Sequence, residues 1–336
     1  MHCPKKSFLL LATLIFLDSC GGSSDGSSPI TVPSSTPSPS PTATPTPAPT
    51  ATPSSQDAGS GPTLLTLTAQ TPLAGTVGYA GYIRSSAGDI SHADNFSTGA
   101  TVPVIYNGDN GGLIYNVRTF LVPELPAGTR FTYTYDRLAS SDTWDFYRAT
   151  INGTQYTAKQ LLIGNENATI RMLFSSVALL QASYTNTTSS ETSYSIAPIS
   201  YGIIFDPATK VLSGSYEYDG IVIGYARGSS GQNAYEVTGT IRLSANLSTT
   251  EMSGYIDLRG TDVRSGAVVN FGRFPYAVTP RTQLDAIYGS GTNLRLQGNF
   301  AGDYAQEFFG GADLQFNDPR QTGVVLKVPI AFAGRR

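Results

Sequence analysis

An alternation of apolar and polar residues on both sides of a glycine-marked corner constrains this chain more than any other sequence feature. Leu294, Leu296 and Phe300 alternate with polar residues before the corner, and apolar residues alternate again over 312–316. Because successive side chains of a β-strand point to opposite faces, a period of two indicates strands with one buried face. Residues 294–316 therefore predict a hairpin in an antiparallel sheet.

The composition favours β-structure along the whole chain. Only 13% of the 336 residues are charged, whereas the chain contains 35 glycines and 19 tyrosines. Glycine serves turns, and tyrosine suits half-buried strands. The net charge of −3 comes without the basic patches that nucleic-acid binding needs, so no nucleic-acid partner is expected.

The region 197–336 predicts a C-terminal, eight-stranded up-and-down β-barrel whose apolar face points inward. About eight or nine strand-like runs carry this prediction: Tyr201–Phe205, Val211–Tyr218, Ile221–Ala226, Glu236–Leu247, Met252–Arg259, Ala267–Phe274, Asn293–Phe300, Gly311–Phe316 and Gly323–Phe332. Asp219 and Gly220 predict a tight turn between two of the runs. Pro329 cannot donate to a β-ladder, so we expect it at a barrel mouth or a bulge.

The region 63–196 predicts an N-terminal β-rich subdomain. Its strand-like runs are Leu64–Ala69, Thr101–Tyr106, Gly112–Leu121, Thr129–Tyr135, Phe146–Ile151, Gln155–Leu162, Thr169–Leu180 and Thr192–Ile196. Asn152 and Gly153, which separate two of these runs, predict the clearest tight hairpin of the chain.

Residues 1–19 predict a lipoprotein signal peptide. Lys5 and Lys6 precede the apolar run Phe8–Leu17, which is too short to span a bilayer. The following segment resembles a bacterial lipoprotein signal in which Cys20 is acylated. By the same resemblance, Gly21 after the cysteine implies retention in the outer membrane. An ordinary signal peptide with an incidental cysteine is the alternative. Residues 20–62 then predict a lipid anchor at Cys20 followed by a Pro/Ser/Thr-rich disordered stalk. The stalk is expected to be disordered because it contains no apolar periodicity that a core could bury.

The hairpin at 294–316 also resembles a motif of a known family. It follows the Gly-x-Phe-(aromatic)-Gly-Pro-x-Ala-x-Glu-(apolar)-Gly-Gly-x-Phe pattern of the transferrin-binding protein B-like β-barrel lipoproteins. The matching positions are Gly298, Phe300, Gly302, Ala305, Glu307, Gly310 and Gly311. Ala301 and Asp303 depart from the pattern, and the ending Ala331–Arg336 resembles the closing strand and basic tail of the family.

This resemblance covers residues 197–336. It implies a lipoprotein of the bacterial outer membrane, displayed on the cell surface, that binds a protein or small ligand, with iron- or haem-related uptake among the functions it suggests. No ligand-binding residue is predicted, because the binding loops of such proteins differ too much to carry contacts over. The motif residues are expected to be structural, and Glu307 is expected to accept backbone N–H bonds at a strand corner.

The residues needed for catalysis or metal binding are scarce. Both cysteines, Cys3 and Cys20, lie in the first twenty residues, and His92 is the only histidine after His2, so zinc is excluded by count. Calcium remains open near Asn107–Asn110 or Asp303, although turn chemistry explains these residues better. A carboxylate pair is also open; the candidates are Glu217, Asp219, Glu236, Asp257 and Glu307.

We therefore predict a monomeric, non-catalytic lipoprotein without cofactor or metal, held to the membrane through Cys20. A structural envelope lipoprotein without a diffusible ligand and, third, a carbohydrate-active enzyme are the alternatives. A membrane-spanning barrel is disfavoured, because a lipid anchor would be redundant. A run of tyrosines allows either a recognition surface or half-buried strand positions; its members are Tyr184, Tyr194, Tyr201, Tyr216, Tyr218, Tyr225 and Tyr235.

Overall fold

The structure is a computed structural model, which describes residues 61–67, 70–91, 97–107, 112–117, 129–132, 134–136, 138–141, 143–151, 154–161, 170–208, 212–229, 233–279 and 286–336. In these segments the chain is all-β and antiparallel, as the sequence predicts. The predicted signal peptide, the stalk up to residue 60 and His92 lie outside the described residues. Within the described part of the chain, no helix has the length and apolar character needed to cross a bilayer.

The first ten strands form one antiparallel sheet. They are β1 Gln70–Arg84, β2 Ile90–Ser91, β3 Ser97–Asn107, β4 Gly112–Val117, β5 Thr129–Thr132, β6 Thr134–Tyr135, β7 Trp144–Ile151, β8 Thr154–Leu161, β9 Ser175–Thr185 and β10 Thr192–Gly202. The order across the sheet is β5-β4-β3-β1-β10-β9-β8-β7-β6, and β2 pairs with β1. Ile151 pairs directly with Thr154, which confirms the hairpin predicted between them.

No sequence pattern predicts the longest strand of this sheet, β1, and the strand predicted at 64–69 is wrong over its described part. Gly75, Gly78 and Gly81 interrupt β1 and weaken its strand signal. In the segment before it, Leu64 is fully buried. The N–H of Thr66 donates to the carbonyl oxygen of Thr63 at 3.0 Å, which closes a turn.

The remaining eight strands close into the predicted barrel. They are β11 Ser215–Gly228, β12 Ala234–Asn246, β13 Glu251–Asp262, β14 Val268–Val278, β15 Ile287–Gly291, β16 Leu294–Ala301, β17 Glu307–Asn317 and β18 Val325–Arg335. Pairing of β11 with β18, for example Ile223 with Ala331, closes the ring. The apolar faces point inward and fill the interior with side chains such as Ile241, Leu243 and Leu326.

Two local predictions in the barrel are wrong. Asp219 and Gly220 form no turn, because they pair with β12 in the middle of β11. A Cβ atom on Gly220 would overlap the backbone of β18, so this glycine permits close strand approach. Pro329 lies inside β18, at neither a mouth nor a bulge, and the β11–β18 pairing is interrupted beside it between Ile330 and Lys327.

The sheet packs against the outside of one side of the barrel. Ile223 and Phe309 point away from the barrel interior and join a buried cluster with Met172, Phe174 and Val177. The predicted boundary at residue 197 falls within β10, which belongs to the sheet, and the first barrel strand begins at residue 215.

Candidate functional site

The residues of the sequence motif meet in the hairpin of β16 and β17. Gly298 and Gly310 are direct cross-strand partners, and a Cβ atom on either would overlap the backbone of the neighbouring strand. Phe300 pairs with Phe308, and both rings contact Tyr218 inside the barrel. Glycine at the paired positions therefore lets the two strands approach closely beneath a packed aromatic cluster.

The turn between these strands holds an unusual backbone conformation. Gly302 has a φ of 82° and Ala305 a φ of 52°, so both lie in the left-handed region. The hydroxyl of Tyr218 donates to the carbonyl oxygen of Ala305 at 2.7 Å, and the N–H of Tyr304 donates to the side chain of Gln306 at 2.9 Å. These bonds fix the corner that precedes Glu307.

Glu307 is fully buried and serves as an acceptor for the segment before β9. Its Oε1 accepts the N–H of Leu173 at 2.6 Å, and its Oε2 accepts the N–H of Phe174 at 2.9 Å. Oε2 also accepts the N–H and the Oγ–H of Ser175, at 2.8 and 2.9 Å. Three of these four donors are backbone N–H groups at residues 173–175, more than 130 residues away, and none belongs to the neighbouring glycine pair.

Burial raises the pKa of the Glu307 carboxyl from 4.5 to about 7, and the four hydrogen bonds oppose this rise without cancelling it. The adjacent Arg335, its cross-strand partner, donates to the carbonyl oxygen of Arg171 at 3.0 Å. The carboxyl is therefore an acceptor that joins the barrel to the sheet.

The same junction holds the first described segment of the chain. The N–H of Leu64 donates to the carbonyl oxygen of Leu173 at 2.8 Å, one peptide group away from the bond to Glu307. Gly61 lies against the carboxylate of Asp303, where a Cβ atom would overlap it. The chain that follows residue 60 therefore reaches the folded part at the corner of the β16–β17 hairpin.

A cleft of about 410 Å³ lies between β1 and the outer surface of β15, β16 and β17. Its described lining residues are Thr76, Val77, Gly78, Thr279, Tyr288, Gly289, Ser290, Arg295, Leu296, Gln297, Gly311, Ala312, Asp313 and Ile330. This volume falls within the usual range of small-ligand sites, which is roughly 300–1,000 Å³.

Close contacts of β1 with the barrel set the shape of the cleft. A Cβ atom on Gly311 would lie 2.9 Å from Thr76 Cγ2, and one on Gly78 would lie 2.6 Å from Pro329 Cβ and 3.4 Å from Pro198 Cγ. The β1–β3 register shifts beside Gly78. These two glycines therefore bring β1 down onto the barrel at one edge of the cleft.

The floor of the cleft is polar. Ser290, Arg295 and Asp313 are successive cross-strand partners, so their side chains share the outer face of the barrel. Tyr288 and Gln297 form the next row on the same face. Sequence reasoning does not single out these residues, because each is an ordinary outward-facing strand position until β1 covers one side of it.

The carboxylates considered as a catalytic pair are engaged elsewhere. Four of them contact a cation: Glu217 bonds Arg242 at 3.0 Å, Asp219 lies 3.9 Å from Arg242, Asp257 bonds Arg273 at 2.9 Å, and Glu236 bonds Lys159 at 3.1 Å. Glu307 is the fifth and lies in the junction described above. No group of three histidine, cysteine or acidic side chains among the described residues is placed to hold a metal ion.

The tyrosine run is mainly core. Four of its members are at most 1% exposed: Tyr201, Tyr218, Tyr225 and Tyr235. These tyrosines occupy buried strand positions and do not form a recognition surface. Of this run only Tyr184 is exposed, at 41%. The tyrosine at the cleft, Tyr288, lies outside the run.

No protein-family model matches the chain, and no curated protein matches it. Solved structures similar to it include the intact transferrin binding protein B called Ap-TbpB, with N and C lobes, at 13% identity and a TM-score of 0.38, covering 76% of this chain and 45% of that one. Isotype 1 transferrin binding protein B from serogroup B Neisseria meningitidis is 13% identical with a TM-score of 0.38, covering 77% and 43%. A double mutant of transferrin binding protein B from Haemophilus parasuis Hp5 is 13% identical with a TM-score of 0.35. The match covers 76% of this chain and 44% of that one. The chain thus spans less than half the length of each.

Proposed function

We propose that this protein is a non-catalytic lipoprotein of the bacterial outer membrane that is anchored through Cys20 and binds a protein or small ligand at the cleft between β1 and the barrel. The observation that carries the proposal is the convergence of polar side chains from β15, β16 and β17 on a space walled by β1. Concave sites with a few well-placed polar groups are the usual form of ligand-binding sites.

The filled interior of the barrel supports a site on its outside. An eight-stranded barrel is about wide enough for side chains alone. Here the inward positions hold large buried groups, including Tyr218, Tyr235, Phe300 and Phe332, which pack with the aliphatic residues of the same cluster. A ligand therefore finds room at the sheet–barrel junction and not at the barrel axis.

The sequence before residue 61 supports the anchored location. Cys20 follows an apolar run of lipoprotein type, and the proline-rich segment after it favours an extended spacer of about 3.1 Å per residue. Acylation with several chains holds a protein stably at a membrane, whereas one chain alone is marginal. Such a spacer carries the folded part away from the membrane surface.

Two experiments test anchorage and display. Cys20→Ala is expected to move the protein from the membrane fraction to the soluble fraction, and retention of the variant would contradict the anchor. Protease added to intact cells is expected to remove the barrel from an immunoblot. Protection until lysis would place the barrel on the periplasmic side of the outer membrane.

The cleft is tested by filling it. Ser290→Trp adds a large side chain to the floor, and Ser253→Trp, at an exposed position on β13, is the matched control. Native mass spectrometry after incubation with culture supernatant and solubilised envelope is expected to detect a bound mass on the wild type and the control only. Equal binding by all three proteins, or none, would contradict a site in this cleft.

A further inference from the structure

We infer that the cleft recognises a neutral, polyhydroxylated ligand, a saccharide; this inference rests on the proposed function of the cleft as the binding site. It follows from one exposed aromatic side chain, one pair of opposite charges and the absence of a continuous free backbone edge in the described walls.

Tyr288 supplies an aromatic surface at the rim of the cleft. Its side chain is 41% exposed, and of the large exposed apolar and aromatic residues in the described part of the chain it alone lines the cleft. The face of an aromatic ring carries partial negative charge, which attracts the polarised C–H groups of a sugar ring. A tyrosine also adds contact area at a low cost in side-chain entropy.

Arg295 and Asp313 supply the polar contacts of a hydroxylated ligand. They are direct cross-strand partners on the floor, so their Cβ atoms lie about 5 Å apart. A guanidinium group only donates hydrogen bonds and a carboxylate only accepts them, whereas a hydroxyl does both. Adjacent hydroxyls of one sugar can therefore bond both side chains at once.

The charges on the floor also disfavour ligands that carry a net charge. The described lining residues contain one cation, Arg295, and one anion, Asp313, so the formal charges of these residues cancel. An anionic group placed near Arg295 would be repelled by the neighbouring carboxylate of Asp313. A cationic group placed near Asp313 would likewise be repelled by Arg295. Ser290, Gln297 and Thr76 add groups that both donate and accept hydrogen bonds.

An extended peptide fits this cleft less well. Peptides that add a strand need a free sheet edge. In the wall, β1 pairs with β3 on one side and β10 on the other, except at Gly78, which is outside both registers. In the floor, β16 pairs with both β15 and β17. The described walls therefore offer side chains, and not a continuous free backbone edge, to a ligand.

The test uses the mature chain with Cys20→Ala, titrated with defined probes and followed by ligand-observed NMR. The saccharide probes are maltotriose, lactose and triacetylchitotriose, and the peptide probes are tetraglycine and tetraalanine. At least one saccharide is expected to bind saturably. Tyr288→Ala is expected to weaken that binding about tenfold or more, whereas Tyr288→Phe, which keeps the ring, retains most of it. Tyr184→Ala, at an equally exposed tyrosine (41%) that does not line the cleft, is the control and is expected to change nothing.

The outcomes separate this inference from the function on which it rests. Saccharide binding that survives in both Tyr288→Ala and Ser290→Trp would overturn the inference. Peptide binding abolished by Ser290→Trp, without any saccharide binding, would overturn the saccharide class but leave the cleft as a binding site. Failure of every probe, together with no effect of Ser290→Trp on the bound mass described above, would overturn both.

Discussion

Glu307 and Ser175 meet at the junction of the sheet and the barrel although 132 residues separate them in the chain. One carboxylate oxygen of Glu307 accepts both the N–H of Ser175 at 2.8 Å and its Oγ–H at 2.9 Å. Because β17 belongs to the barrel and β9 to the sheet, a single side chain ties the two together.

Glu307→Ala is expected to destabilise the protein by about 3 to 5 kcal/mol, because it leaves the N–H groups of Leu173, Phe174 and Ser175 buried without this acceptor. Urea unfolding followed by tyrosine and tryptophan fluorescence measures the change. Glu191→Ala, at an exposed turn, is the control and is expected to change stability by less than about 0.5 kcal/mol. An equal effect of the two variants would contradict the assigned role of Glu307.

The stability of the wild type is expected to depend on pH through Glu307. Burial raises the pKa of this carboxyl from 4.5 to about 7, so between these pH values the folded state binds more protons than the unfolded state. The free energy of unfolding therefore falls as pH rises through this window, by on the order of 3 kcal/mol, and stays at its lower level above pH 7. Glu307→Gln cannot titrate, so the difference between its unfolding curve and that of the wild type isolates the contribution. A difference that is constant from pH 4 to pH 8 would contradict the prediction.

The barrel could be predicted from sequence because its signal is local. In β12, Ile241, Leu243 and Ala245 alternate with polar residues, and each points into the filled interior. Asp219 and Gly220 mislead because a tight turn and a close strand contact favour the same residue type. Only the neighbouring strand β18, more than 100 residues later, distinguishes the two.

The candidate site could not be predicted because it forms between distant segments. Glu307 could be singled out, but its donors at residues 173–175 lie just before and at the start of β9, which belongs to a different sheet. The cleft needs β1, whose repeated glycines hide it as a strand. These glycines permit the contact of Gly78 with Pro329 that positions β1 on the barrel. The glycines that let β1 pack on the barrel are thus the same residues that weaken the strand pattern of β1 in the sequence.

Gly78→Val is expected to destabilise the protein by about 1 to 3 kcal/mol, since its Cβ would lie 2.6 Å from Pro329 Cβ and must displace β1 or β18. Thermal unfolding monitored by circular dichroism measures the loss. Gly289→Ala is the control, because its Cβ would meet no atom closer than 3.4 Å. If both variants unfold at the wild-type temperature, β1 does not depend on this contact.

A polar network around Asp318 lies at the end of the barrel opposite the Glu307 corner. Asp318, 4% exposed, accepts the hydroxyl of Tyr235 at 2.9 Å and the side-chain N–H of Asn233 at 2.5 Å. Tyr235→Phe keeps the ring, which packs edge-on against Phe271, and removes only the hydroxyl. The loss of one hydrogen bond to a charged, buried acceptor is expected to cost about 1.5 to 3 kcal/mol.

Urea unfolding of Tyr235→Phe measures this cost, with Tyr184→Phe, at an exposed hydroxyl, as the matched control. Asp318→Asn provides a second test, because a neutral acceptor weakens the same bond without removing the tyrosine. In the double variant the two losses are expected to be less than additive, since they remove one shared interaction. Additive losses would show that Tyr235 and Asp318 stabilise the barrel end independently of each other.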